Sequence, residues 1–107
     1  MALSVDRLSR IIRNWAAQDA EISEVYIFGS RARGEARDDS DLDVALEFKP
    51  EFNDCANWIM RAKELRESLQ PALPCQLQLE WYGGPIETEI IHKGLEAGHI
   101  TVYETAI

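Results

Sequence analysis

Apolar residues near the start of the chain recur at helical spacing. Leu8, Ile11, Ile12 and Trp15 share one side between Ser4 and about Asp19, and arginines occupy the other faces, so an amphipathic helix is predicted. The pattern then changes. Glu24-Val25-Tyr26-Ile27-Phe28 is short, β-branched and aromatic, and stops at Gly29, which reads as a buried strand. Ser30 to Gly34 suits one helical turn with Ser30 at its N-terminus. The turn-rich Arg37-Asp38-Asp39-Ser40 leads into a second strand, Leu42 to Phe48, which Pro50 ends.

Asn53 or Asp54 can cap a long helix whose Trp58, Ala62, Leu65 and Leu69 share a face, broken by Pro71 and Pro74. From Cys75 to Tyr82 the alternation is strict: Leu77 and Leu79 on one side, Gln76, Gln78 and Glu80 on the other. Gly83-Gly84-Pro85 opens a last helix carrying Ile86, Ile90, Ile91 and Leu95, closed by Gly98, and Ile100 to Glu104 forms a final strand. The order α-β-(turn)-β-α-β-α-β predicts an α/β (α+β) sandwich: one small sheet of about four strands packed against helices. The short link between the first two strands favours an antiparallel pair.

At 107 residues the chain has room for one core, and 46% apolar with 28% charged residues is ordinary for a globular domain. No apolar run approaches a membrane span and no signal-peptide pattern opens the chain, so a cytoplasmic protein is expected. Cys55 and Cys75 fit no metal-binding spacing and read as core residues. His92 and His99 lack ligand-spaced partners and read as structural or solvent-facing. The net charge of -8 argues against a grip on extended nucleic acid. The charge is uneven, however: residues 1–37 hold 6 of the 11 basic residues and 5 acids, and residues 38–107 hold 5 basic residues and 14 acids. Arg31, Arg33 and Arg37 thus stand beside the carboxylates of 38–43, which suits a small phosphorylated ligand.

The chemistry concentrates between Phe28 and Phe48. Asp41 and Asp43 are two apart, so on a strand they leave the same face, and two close carboxylates repel unless a cation or proton intervenes. Oxygen-only ligands favour Mg²⁺ or Mn²⁺ over zinc. Gly29 permits close backbone approach, Ser30 and the following amides can bind phosphate oxygens, and Arg31 or Arg33 can add charge-assisted contacts. Two other motifs fail. Gly29 and Gly34 have Walker A spacing, but Glu35 and Ala36 occupy the Lys and Ser/Thr places; Asp39, Asp41 and Asp43 mimic a calcium loop, but Val44 sits where that loop needs glycine.

Gly29-Ser30-Arg31-Ala32-Arg33-Gly34 followed by Ser40-Asp41-Leu42-Asp43-Val44 resembles the signature of the minimal nucleotidyltransferases of the DNA polymerase β-like superfamily. The resemblance implies a single nucleotidyltransferase domain over residues 1–107 that transfers a nucleoside monophosphate, AMP from ATP being the first expectation, to a protein or small-molecule hydroxyl. It implies that Gly29, Ser30 and Ser40, helped by Arg31 and Arg33, bind the nucleoside triphosphate, and that Asp41 and Asp43 hold Mg²⁺. Small members of this kind act beside a helical HEPN partner, often as the antitoxin of a toxin–antitoxin pair; homo-oligomers stay open.

The family's third carboxylate belongs on the Cys75–Tyr82 strand, whose polar face reads Gln76, Gln78, Glu80. If the aspartate aligns with Gln78, either Glu80 substitutes as third ligand and base, or the site is impaired and the domain is a binding module that neutralises a partner.

Overall fold

The computed structural model describes residues 4–105. Helix α1, Val5–Ala16, starts where the Ser4 hydroxyl accepts the Arg7 amide, and buries Leu8, Ile12 and Ala16 at successive four-residue steps. Ile11 and Trp15 pack half-buried beside them. Strands β1 (Ile22–Phe28) and β2 (Leu42–Phe48) pair antiparallel, as their short link requires. Helix α2, Cys55–Leu69, is the crossover that lets β3, Leu77–Trp81, lie parallel to β2. Helix α3, Glu89–Glu96, precedes β4, His99–Glu104, which returns antiparallel to β1. The four-stranded mixed sheet has the order β3-β2-β1-β4.

One face of the sheet carries the main core. Val25, Ile27, Val44, Leu46, Leu77 and Leu79 meet Leu8 and Ile12 of α1 and Leu65 and Leu69 of α2. A bulge between Ile22 and Glu24 shifts the phase of β1, so Ile22 joins this core although Glu24, two residues on, does not. The opposite face is only partly covered: Phe28 and Ala45 pack under Leu95 of α3, with Tyr26, Tyr82 and Ile91 half-buried around them. This second face is the one that Asp41, Asp43, Gln78 and Glu80 share, by strand alternation.

Asp54 caps α2 by accepting the Asn57 amide at 2.8 Å. Asn53 instead accepts the Phe48 amide and the Trp81 indole N–H, at 3.0 and 2.8 Å, stitching the ends of β2 and β3 together. The outer edge of β3 is tied to α2: Arg66 donates to the Leu79 carbonyl and the Gln70 side-chain oxygen accepts the Leu77 amide.

Three expectations change. The last helix does not start at Pro85; residues 85–88 form a turn and Ile86 and Ile90 are 94% and 84% exposed. Thr88 is the reason: its hydroxyl donates to the Gly84 carbonyl and accepts the Gly83 amide, which closes a turn before the helix can begin. Cys55 is exposed at the first position of α2, where the helix has not yet reached the sheet, and Cys75 is half-buried. The helical turn after β1 begins at Gly29, one residue before Ser30. Among the described residues no helix is long and apolar enough to cross a membrane.

Candidate nucleotide and metal site

The end of β1 and the start of β2 lie side by side, with Phe28 paired to Asp43. Gly29 then leaves the strand at φ +72°, a left-handed conformation that costs a side-chain-bearing residue about 1–2 kcal/mol. Its α-carbon approaches Asp43 so closely that a Cβ there would fall 2.2 Å from Asp43 Oδ2 and 3.0 Å from its Cγ. Glycine at 29 is therefore required twice over, by the backbone and by the carboxylate. The 3-10 turn Gly29–Arg31 follows, with the Ala32 and Arg33 amides on the Gly29 carbonyl and the Glu35 amide on the Ser30 carbonyl. Three residues are too few for a macrodipole, so any attraction for anions comes from the turn amides and Ser30 themselves.

Asp41 is exposed and Asp43 half-buried. Burial, and then the charge of Asp41, raise the Asp43 carboxyl above its ordinary range, with Arg33 partly offsetting them. That crowding of negative charge is what a bound divalent cation relieves, and hard carboxylate oxygens suit Mg²⁺ or Mn²⁺. The donor chemistry of Asp41 and Asp43 thus fits such an ion.

The remaining expected residues are placed unequally. The Arg33 side chain packs directly against Gly98, its Cγ 3.3 Å from where a Cβ there would sit, and pairs with Glu35 at 2.7 Å. Arg31 points inward: it is only 7% exposed, donates from Nη2 to the Ser40 carbonyl at 2.7 Å, and leaves Nε buried without a partner among the described residues. The Ser40 hydroxyl accepts the Arg37 amide at 2.8 Å, so Ser40 closes the turn that delivers Asp41. On β3 the register sets Gln78 beside Asp43 and Glu80 beside Ala45, one row further from the Gly29 turn. Gln78 Nε2 reaches toward Asp41 Oδ2 at 3.5 Å, whereas Glu80 lies 4.0 Å from Arg66 Nη2.

Further along the same face stands a group the sequence did not single out. Tyr26 hydrogen-bonds Glu24 and Glu47, which are cross-strand neighbours. Burial, then the Glu24 bond and the Glu47 charge, push the Tyr26 phenol well above its usual range; burial and Glu24 push Glu47 up. Tyr82 bonds His92 Nδ1 at 2.7 Å, and His92 Nε2 meets Glu96 at 3.2 Å. His99 holds the Leu95 carbonyl through Nδ1 and packs edge-on against Tyr26. The one signal in the sequence was the period-2 placement of Glu24 and Tyr26, and of Asp43 and Glu47, which becomes a cluster only once the register is known.

Comparison with known proteins bears on the fold and the family. A toxin–antitoxin protein crystallised with AMP-PNP superposes with a TM-score of 0.69 at 18% identity, over 92% of this chain and 74% of that one. A mutant MntA–HpeT toxin–antitoxin superposes at 0.63 with 20% identity, covering 97% and 75%. A protein from Shewanella oneidensis gives 0.64 at 15% identity, covering 94% and 73%. These likenesses establish the fold. Among curated proteins none matches significantly. The family model described as "Polymerase beta, Nucleotidyltransferase" matches residues 10–96, which includes the Gly29–Ser30 turn, both aspartates and β3. The chain belongs to the polymerase β nucleotidyltransferase family.

Proposed function

We propose that this protein is a divalent-metal-dependent nucleotidyltransferase that takes AMP from ATP to a hydroxyl of a helical HEPN-type partner, as the antitoxin of a toxin–antitoxin pair. The observation that carries the reading is the abutment of Gly29 on Asp43, a backbone turn and a carboxylate pair in direct contact at the mouth of the sheet. The family match supports it. So does the likeness of the chain to a toxin–antitoxin protein that binds AMP-PNP.

In this reading the amides around Gly29 and Ser30 bind the triphosphate, and Arg33, at the solvent-facing rim, adds positive charge. Asp41 and Asp43 hold Mg²⁺, which when bound screens the phosphate oxygens and steadies the leaving pyrophosphate. Arg31 and Ser40 fix the turn from which Asp41 projects. The sheet face that carries Asp43 is only partly covered, which suits entry of an acceptor. A second reading, a nucleotidyltransferase-fold module that restrains its partner by binding alone, is favoured by the amide of Gln78 beside Asp43.

The test is transfer of label. With ATP labelled at the α-phosphate, Mg²⁺ and a HEPN-type partner, label should appear on the partner, and the Asp41→Asn, Asp43→Asn double variant should give none. Equal labelling by the double variant would overturn the assignment. An unlabelled partner that the wild-type protein still binds and silences would select the second reading.

A further inference from the structure

The parallel register of β2 and β3 decides which side chain stands third at the carboxylate pair. Asp43 is opposite Gln78 and Ala45 is opposite Glu80, so Glu80 is two residues, about 6.6 Å, further along the strand. Glu80 is drawn away toward Arg66, whose guanidinium lies over the Trp58 ring at 5.2 Å and donates to the Leu79 carbonyl. Arg66 is thus tied to the outer edge of β3, and its guanidinium offers Glu80 a charge partner on that side, at 4.0 Å. Gln78 instead reaches across to Asp41. Among the described residues no group of three or more His, Cys, Asp or Glu side chains is arranged to hold a metal ion.

From this donor set we infer that the site takes a single divalent cation together with its nucleotide, and supplies no proton acceptor for the incoming hydroxyl; this rests on the nucleotidyltransferase reading above. In a two-ion site the second ion would be left to the two β2 carboxylates and the triphosphate alone, with the neutral Gln78 amide standing where a further anionic ligand would complete its shell. A neutral amide offers one carbonyl oxygen to a metal but has no basic site for a proton. Nor does a histidine compensate. His99 stands in the same cross-strand row, Phe28 pairing with both His99 and Asp43, but it is two strands from Asp43, about 10 Å by strand spacing. Its Nδ1 is committed to the Leu95 carbonyl.

The consequence falls on the acceptor. A bond forms between the acceptor oxygen and the α-phosphorus, the bond from that phosphorus to the β-phosphate oxygen breaks, and pyrophosphate leaves with the electron pair. The acceptor's proton goes to a base on the acceptor's own molecule. Recognition of the acceptor and activation of its hydroxyl are therefore joined, and a hydroxyl presented without a neighbouring base is a poor substrate.

The number of ions is directly countable. Mn²⁺ is titrated by electron paramagnetic resonance into the whole chain saturated with an ATP analogue whose bridge between the α- and β-phosphates is imido-linked and so resists the transfer, for wild type, Gln78→Asp and Gln78→Glu. One protein-bound Mn²⁺ per chain is expected for wild type, and two spin-coupled ions for whichever carboxylate variant reaches the first. Gln78 is exposed, so neither substitution disturbs the core. Two ions in wild type would overturn the inference and leave the nucleotidyltransferase reading standing. No ion held with the nucleotide would overturn both. A single ion in both carboxylate variants would remove Gln78 from the third-ligand place.

Discussion

Replacing Gly29 with alanine tests the contact on which the site is built, and Gly34→Ala is its internal control. Both glycines have nearly the same left-handed backbone, φ +72° and +74°, but nothing lies within 4 Å of a Cβ at Gly34. The backbone penalty of about 1–2 kcal/mol is common to both. So is the gain of about 0.4–1 kcal/mol from a stiffer unfolded chain. Gly34→Ala should therefore cost about 1 kcal/mol. At Gly29 the added carbon also meets Asp43, and turning Oδ2 aside does not free it, because Cγ and Cβ of Asp43 remain at 3.0 and 3.3 Å. Driving the side chain off its rotamer adds about 1 kcal/mol. Gly29→Ala should thus melt about 4–8 °C below Gly34→Ala by circular dichroism. It should also lose Mg²⁺-dependent ATP binding, which Gly34→Ala keeps. Adding Asp43→Ala should erase most of the difference between the two. Equal melting temperatures with equal ATP affinity would refute the reasoning, since the backbone term alone would then account for both.

Two more substitutions follow from the same geometry. Arg31→Met keeps the buried volume but loses the charged bond to the Ser40 carbonyl; because it also removes a buried charge that pairs with no carboxylate among the described residues, the net loss in urea unfolding should be only about 1 kcal/mol. ATP binding should weaken with it as the Asp41 turn loosens, and weakened binding at unchanged stability would instead mark Arg31 as a phosphate contact. Arg61 joins α2 to Asp19 and Glu21 at 2.6 and 3.2 Å, and Arg61→Ala should cost about 2 kcal/mol at neutral pH. Burial raises the Asp19 carboxyl, but the bonds from Arg61 and from the Glu21 amide outweigh it and leave it below its ordinary 3.8. A lowered carboxyl stabilises the fold above its unfolded value and loses that contribution as pH falls through the folded one. The stability gap between wild type and Arg61→Ala should then be constant near neutrality and shrink below about pH 4; a gap independent of pH down to 2 would contradict this assignment.

The bounds of β2 were legible because Leu42–Phe48 is a hydrophobic run that starts after a turn-rich stretch and that Pro50 ends. The carboxylate pair was legible because a spacing of two on a strand fixes a shared face. What stands opposite that face was not. Alternation put Gln78 and Glu80 on one side of β3 without saying which meets Asp43, because register depends on how α2 and its flanking turns return the chain. The burial of Arg31 was hidden by its residue type. An arginine next to Gly-Ser reads as a phosphate contact, and only the folded loop reveals a Ser40 carbonyl that takes its donor. The start of α3 was misplaced because Pro85 suits a first helical position, whereas the Thr88 hydroxyl, a local competitor for backbone groups, decides the turn.

The central claim is that the Gly29 turn and the two aspartates form one metal-assisted nucleotide site. Calorimetric titration of ATP into the protein, with Mg²⁺ and with EDTA, for wild type and Asp43→Asn, tests it most directly. The account predicts saturable binding that requires Mg²⁺ and is lost in Asp43→Asn while the fold is retained. Binding of equal affinity in EDTA, or in Asp43→Asn, would contradict it.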